Sequence, residues 1–492
     1  MSRSLNGIFW VFLFTFLGYI FGYVTRTLLA RNLSVVEYGL FYSVYSLVMF
    51  LTMFSYMGFG VPLVKFTSEF KAKKDYEKLT FSLIFPSVVM ISLSLVMALL
   101  LFFASDYLAL HYFKSVSAGL ISKLFGLVLI GTVITHITLL IFKGFQDFFL
   151  VGLITFLEKA SFTIFIVIFL LLGLLNNAYS AVYALILAFI FTILLSLPKL
   201  LSYRKNLVRF KFSSSLSKKI KNYAFASFIA SLGLLIVGYI DTIMLTHFRT
   251  LEEVGVYNVV LPTVMVLSMF AYSMRHVLAP IVSELWAKGL KKKMVNGIEM
   301  VRNYSLVGII PFILTLLIFP TLVINLLFTP KYASGALTMQ ILSVGMIFFT
   351  IGFTDLEIIR FIGKPKESTK IILIGVVFNI ISNLILIPLF GMNGAAITTT
   401  LSYFIIMLMS SYKLDKFIQV KSSLIFWLKV IVSAILFILT ATIIKESIEM
   451  NQFFEGFICL VAGSIVYVVF CFLFRVVEYQ DIKKFLENFI KK

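Results

Sequence analysis

About fourteen stretches of this chain are apolar almost throughout, each long enough to cross a bilayer: 8–30, 40–62, 79–104, 120–142, 149–175, 178–201, 223–247, 255–279, 303–328, 336–361, 369–390, 394–414, 424–444 and 456–477. A run of about 20 residues, rising 1.5 Å per residue as a helix, matches the roughly 30 Å of hydrocarbon in a membrane. In that solvent every backbone N–H and C=O must be satisfied internally, which leaves helices or closed barrels. The runs are two to three times the length of a membrane β-strand and lack its strict alternation, so strands are excluded. The fold expected is an all-α polytopic membrane protein with about 14 transmembrane helices. Composition agrees: 61% of residues are hydrophobic, 13% are charged, and the mean hydropathy is +1.05, far from the soluble average.

The 42 Lys and Arg against 22 Asp and Glu give a formal charge of +20. Thirty of the basic residues lie on one set of alternating loops: Arg3, five from Lys65 to Lys78, Lys143, seven from Arg204 to Lys221, five from Lys288 to Arg302, four from Arg360 to Lys370, Lys413, Lys416, Lys421 and four from Lys483 onward. The other loops hold only Arg31, Lys114, Lys123, Arg249, Lys331 and Lys445. The positive-inside rule then predicts an even number of spans with both termini cytoplasmic. The positive charge reads as topology and as attraction to anionic membrane lipids, with no nucleic-acid partner. The opening MSRSLNG runs into an apolar stretch too long, and without the A-x-A-like site, for a cleaved signal peptide, so it reads as the first membrane helix. Cys459 and Cys471 share the last apolar segment and offer neither a disulfide framework nor a cysteine-based metal site.

The longest basic connector, Tyr203 to Asn222, follows six predicted helices. NLSVVEYGLFYSV at Asn32 to Val44 matches FRTLEEVGVYNVV at Phe248 to Val260, an offset of 216 residues. KGFQDFFLVG from Lys143 and GKPKESTKIILIG from Gly363 stand at an offset of about 219, each after the fourth helix of its half. Six helices per half is an even number, so the two copies share one orientation. The predicted organisation is an N-terminal six-helix lobe at 1–201, a basic linker at 202–222, a second six-helix lobe at 223–414, an additional helix pair at 415–477 and a cytoplasmic tail at 478–492.

Three stretches carry a family resemblance. LLARNLSVVEYGLF spans Leu28 to Phe41. YIDTIMLTHFRTLEEVGVYN, Tyr239 to Asn258, contains Asp241 and a Val-Gly-x-Tyr ending. GKPKESTKIILIGVVFNIISNLILIPLFGMNGAA, Gly363 to Ala396, has Gly-x-Pro, two Asn, Leu-Ile-Pro and Gly-x-x-Gly-Ala-Ala. In these the chain resembles the polysaccharide and O-antigen flippase family of the multidrug/oligosaccharidyl-lipid/polysaccharide exporter superfamily. The turn at Gly144, Gln146 and Asp147 departs from the family, which places a basic residue there. The resemblance implies movement of a lipid-linked oligosaccharide, on a polyprenyl phosphate or diphosphate, from the cytoplasmic to the outer leaflet. The residues themselves imply a two-lobed, repeat-built transporter with a central site facing each side in turn.

A sugar-phosphate head group needs a polar, preferably cationic path through hydrocarbon. Arg26 and Arg275 lie near the ends of helices one and eight, where each reads either as a phosphate clamp or as a cation snorkelling to the nearer interface. Glu158 and Lys159 fall about 15 Å into helix five, near the midplane. Lys159 reads as an anion contact and Glu158 as its partner or a proton-linked carboxylate, although neighbours in sequence diverge by about 100° around a helix, which disfavours direct pairing. Asn379 and Asn383 share a face of helix eleven, suited to sugar hydroxyls or to joining helices. Asp241, Asp355 and Glu357 are candidates for coupling to H⁺ or Na⁺, or for neutralising a nearby cation such as Arg360. His136 reads as a satisfied buried polar residue, and the four histidines suggest no metal cluster. GYIFG at Gly18 to Gly22 has the spacing for close helix contact, read as packing between the lobes. Pro86, Pro198, Pro262, Pro311, Pro320 and Pro388 fall within predicted spans as possible bends.

The sequence contains no G-x-x-x-x-G-K-[ST], H-E-x-x-H or G-x-S-x-G. A transporter without cofactor is therefore expected, driven by an ion gradient, by membrane potential or by consumption of product, with glycan polymerase or transferase enzymes as further partners. The alternatives are an ion-coupled exporter of small cationic molecules from the same superfamily, and a membrane-embedded glycan-assembly enzyme or scaffold.

Overall fold

The computed structural model describes residues 2–209, 211–418, 424–447 and 452–476; the predicted tail at 478–492 lies outside them. The described residues are helical, with no strand among them, and divide into two compact units, Met1–Asn258 and Val259–Lys492. Among them, twelve helices are long and apolar enough to cross a membrane.

The first unit contains α1 (Ser2–Asn32), α2 (Val35–Tyr56), α3 (Gly60–Ala72), α4 (Tyr76–His111), α5 (Ser117–Phe145), α6 (Phe148–Leu171), α7 (Ala178–Ser202) and α8 (Ser214–Phe248), and the start of α9 (Leu251–Met265). α1 packs along α6, α4 along α5, and α2 against α5 and α8. The first compact unit thus runs past the basic connector at 202–222 and ends at Asn258. α8 is tied to its predecessors: Thr246 Oγ1 donates to Ser43 Oγ at 3.0 Å, and the Tyr112 hydroxyl donates to the Ile243 carbonyl at 2.7 Å. The basic loop after the second span is partly helical, since α3 is a short amphipathic helix burying Leu63, Phe66 and Phe70.

The LSVVEYG motif is legible position by position. Ser34 caps α2 by accepting from the Glu37 N–H, and the Glu37 carboxylate accepts the Ala178 N–H at 2.7 Å, capping α7. Asp75, Asn177 and Ser213 cap α4, α7 and α8 in the same way.

The second unit continues with α10 (Ser268–Ala287), α11 (Lys291–Ile318), α12 (Pro320–Leu327), α13 (Ala336–Phe361), α14 (Pro365–Asp415), α15 (Leu424–Ser447) and α16 (Gln452–Leu473). Two predicted spans are each broken. The run 255–279 becomes α9 and α10, interrupted at Val266 and Leu267 one turn after Pro262. The run 303–328 becomes α11 and α12, because Pro320 pushes Phe319 out of the helical region, to φ −120° and ψ 41°. α14 holds two predicted spans in 51 residues, turning at Gly391, whose φ of 58° and ψ of −135° only glycine adopts readily. A side chain at Gly394 would overlap the Leu386 carbonyl, so Gly-x-x-Gly-Ala-Ala is the turn between two packed arms. The second arm lies beside α13, where Thr400 Oγ1 donates to the Ile341 carbonyl, while α15 and α16 pack together on α11, where the Tyr467 hydroxyl donates to the Val307 carbonyl. Cys459 and Cys471 are buried and free.

Candidate functional site

In the first unit, α1, α2, α6 and α8 bring two cations together with a group of tyrosines. Arg26 of α1 lies over the Tyr42 ring of α2, its guanidinium carbon 4.5 Å from the ring centroid, and Nη1 donates to the Asn258 carbonyl at 3.3 Å. The Tyr38 hydroxyl donates to the same carbonyl at 3.4 Å. Among the described residues no carboxylate stands within ion-pair distance of Arg26. Tyr38, Tyr42 and Tyr45 recur at i, i+4 and i+7, which places them on one face of α2.

Lys159 reaches this cluster from α6. Its stem lies along Gly18 and Gly22 of α1: a Cβ at either glycine would stand 3.8 Å from Lys159 Cγ or 3.9 Å from Cδ. GYIFG therefore packs α1 on α6 within the first unit, beside the Thr25–Thr163 hydroxyl pair at 2.7 Å, and is not the contact between lobes that the sequence suggested. Lys159 Nζ donates to Glu158 Oε1 at 2.7 Å. Direct pairing, disfavoured by the helix geometry, nevertheless occurs, because two flexible side chains curl across the divergence of their Cβ directions. Their side chains remain 43% and 28% exposed. Tyr42 is within electrostatic reach of both Arg26 and Lys159, and Tyr45 and Tyr239 are within reach of Lys159. The His136 ring lies tilted against that of Tyr56, centroids 4.5 Å apart, and its buried Nδ1 has no hydrogen-bond partner among the described residues, so it is not the fully satisfied residue the sequence suggested.

Asp241, on α8, is buried and accepts the Tyr257 hydroxyl at 2.9 Å, while Asn258 accepts from Thr242 through its side chain and from Arg26 through its backbone. The Val-Gly-x-Tyr-Asn segment is thus the inner wall of the cluster. Asn258 and the tyrosine face of α2 were not singled out from sequence. The i, i+4, i+7 spacing of YGLFYSVY was the available signal.

The second unit holds a separate ionic network. Arg275 of α10 lies with Nε 3.1 Å from Glu357 Oε2, and Arg360 Nη1 donates to Glu357 Oε1. Arg302 of α11 stands 3.8 Å from Asp355, which also accepts the Ser411 hydroxyl. Both carboxylates are fully buried. Each is matched to a cation from another helix, Arg275 or Arg302, whereas the sequence pointed only to Arg360 on the same helix. Asn379 and Asn383 are also buried: Asn383 Nδ2 donates to Asn379 Oδ1 at 3.1 Å, and Asn379 Nδ2 approaches Thr399 Oγ1 at 3.5 Å. Asn379 thus reaches across to the second arm of α14 with Asn383 bonded to it from one turn further along, an arrangement that suits joining helices. No cluster of three metal-ligating side chains occurs among the described residues.

Fold and site together define a multi-pass membrane protein with intramembrane cations in the interior of its first helical unit. The polysaccharide biosynthesis protein family matches residues 4–286 and the MatE family matches 226–385. The chain belongs to the polysaccharide biosynthesis protein family, within the multidrug/oligosaccharidyl-lipid/polysaccharide exporter superfamily. It is 32% identical to an uncharacterized membrane protein of Methanocaldococcus jannaschii over 100% of this chain and 99% of that protein. It is 23% identical to the probable low-salt glycan biosynthesis flippase Agl15 of Haloferax volcanii, over 65% of this chain and 66% of that protein. Its fold is similar to that of the lipid II flippase MurJ in an inward closed conformation, with a TM-score of 0.75 and 17% identity, over 96% of this chain and 99% of that one.

Proposed function

We propose that this protein is a flippase, moving an oligosaccharide linked to a polyprenyl phosphate or diphosphate from the cytoplasmic to the outer leaflet of the cell membrane, for assembly of a surface glycan. The observation that carries this reading is Arg26. It is an intramembrane guanidinium held by a tyrosine face and a backbone carbonyl, with no carboxylate to neutralise it among the described residues. A charge retained in such a place is costly unless it meets a counter-charge in use, and a planar fork of donors suits a phosphate. Lys159 on the neighbouring helix adds a second cation, and the tyrosines offer ring faces and hydroxyls to sugars. The relative named as a glycan biosynthesis flippase supports the same reading.

Alternating access of the two repeat halves is the proposed mechanism. Glu158, half-buried on Lys159, is the carboxylate proposed to exchange H⁺ or Na⁺ during the cycle. The excess of basic residues on one set of loops supports a cytoplasmic position for both termini. Polymerases or transferases that consume the exported glycan are the proposed partners, and no resident cofactor is required. The MatE match keeps a small-molecule exporter as the alternative, yet a cationic drug would meet Arg26 and Lys159 with like charge.

The test is made in cells lacking the protein. Polyprenyl-linked sugars are extracted, weighed by mass spectrometry and assigned to a leaflet by membrane-impermeant labelling. A completed glycan accumulating on the cytoplasmic leaflet, reversed by the wild type but not by Arg26→Gln, supports the flippase. An unchanged pool, or one halted at an incomplete sugar, refutes it.

A further inference from the structure

Glu357 is only 1% exposed, yet it faces two arginines, and the two contacts are unequal. Arg360, three residues along the same helix, donates a short hydrogen bond from Nη1 to Oε1. Arg275, on α10, brings Nε to 3.1 Å from Oε2, but off the line that a hydrogen bond needs, and Oε2 accepts none. Arg360 is 24% exposed and Arg275 49%. Two guanidinium groups against one carboxylate leave the triad with a net positive charge. The nearby Asp355 has its own partners in Arg302 and Ser411 and does not alter that balance.

A carboxylate buried this deeply cannot be left without a cation, because the desolvation penalty would go uncompensated. Arg360 meets that need from within α13. Arg275 is therefore the cation that can leave, and its greater exposure leaves the rest of its fork open.

We propose that Glu357 is the resting counter-ion of Arg275: it holds the guanidinium while the protein is empty and yields it to the phosphate of the lipid-linked head group, with Arg360 staying behind to neutralise the buried carboxylate. The inference rests on the reading of the substrate as a phosphate-bearing lipid and makes Glu357 a positioning residue. Glu357 competes with the incoming anion, and Arg360 weakens that competitor.

These roles give opposite signs on substitution. Binding of farnesyl diphosphate to the full-length protein in detergent micelles is measured by titration calorimetry at fixed ionic strength, with the thermal midpoint of each variant recorded. Glu357→Gln, which removes the competing charge at constant shape, should bind about tenfold more tightly. Arg360→Gln, which leaves Arg275 as the sole partner of Glu357, should bind more weakly. Arg275→Gln should lose most of the affinity, and Glu357→Asp, which keeps the charge, should bind as the wild type does. Unchanged or weaker binding by a stably folded Glu357→Gln, or tighter binding by Arg360→Gln, would overturn the proposal. Wild-type binding that Arg275→Gln leaves intact overturns this inference alone. Absence of saturable binding by the wild type removes the phosphate-lipid reading along with it.

Discussion

Gly39 of α2 and Gly255 of α9, equivalent positions in the two sequence repeats, stand face to face: a Cβ on Gly39 would overlap the Leu251 carbonyl oxygen, and one on Gly255 would overlap the Val35 carbonyl oxygen. Each glycine admits the first turn of the other's helix. The obstructing atoms are backbone on both sides, so neither can turn away as a flexible side chain would. Gly39→Ala or Gly255→Ala should destabilise this packing by about 1–3 kcal/mol, read as a lowered thermal midpoint of the purified protein. Gly297→Ala in α11, where nothing lies within 4 Å, is the control and should be neutral or stabilising.

Arg26 acts through its flat face on Tyr42 and its fork, and lysine supplies neither. Arg26→Lys should therefore fall at least about tenfold in translocation of the lipid-linked glycan, close to the loss for Arg26→Gln, at equal protein levels in the membrane. Tyr42→Phe keeps the ring face and should retain most activity, whereas Tyr42→Ala should not. Equal activity of the arginine and lysine proteins would reduce Arg26 to a point charge.

The stem of Lys159 occupies the groove left by Gly18 and Gly22. Gly22→Leu should displace the lysine without touching its charge, and glycan translocation should drop about as far as in Lys159→Ala. Glu158→Gln removes the partner at 2.7 Å but leaves the lysine in place. If Glu158 exchanges an ion during the cycle, this variant should lose the dependence of transport on an imposed H⁺ or Na⁺ gradient in proteoliposomes. Unchanged gradient dependence would remove Glu158 from coupling.

Asp75, just outside the fourth helix, accepts hydrogen bonds from the Lys78 side chain at 2.7 Å and from the Lys78 N–H at 3.2 Å. These bonds, the side-chain one first, hold its carboxyl below the usual range. A carboxyl depressed in the folded state contributes stability above its unfolded pKa and loses it as pH falls through the folded value. Asp75→Ala should cost roughly 0.5–2 kcal/mol of local helix stability near neutral pH. Amide exchange in the first turn of α4 should show the difference, and it should vanish in acid once the wild-type carboxyl is protonated.

The helical membrane body was legible in the residues, because a bilayer forbids an unsatisfied backbone and so converts hydropathy almost directly into helices. The breaks were less legible. Pro320 and Gly391 announce themselves in sequence, but Pro86 and Pro311 stand within unbroken helices, since neighbouring packing can absorb a missing N–H.

By itself the sequence determined which charges enter the membrane, since hydropathy shows each against an apolar background. Only the tertiary structure decided their partners: Arg26 beside tyrosines and a carbonyl, Arg275 and Arg302 on buried carboxylates of α13, Asn379 and Asn383 on each other and near Thr399. A charge is a property of one residue, but its neutralisation depends on atoms brought together from helices far apart in the chain, and that proximity is created by packing.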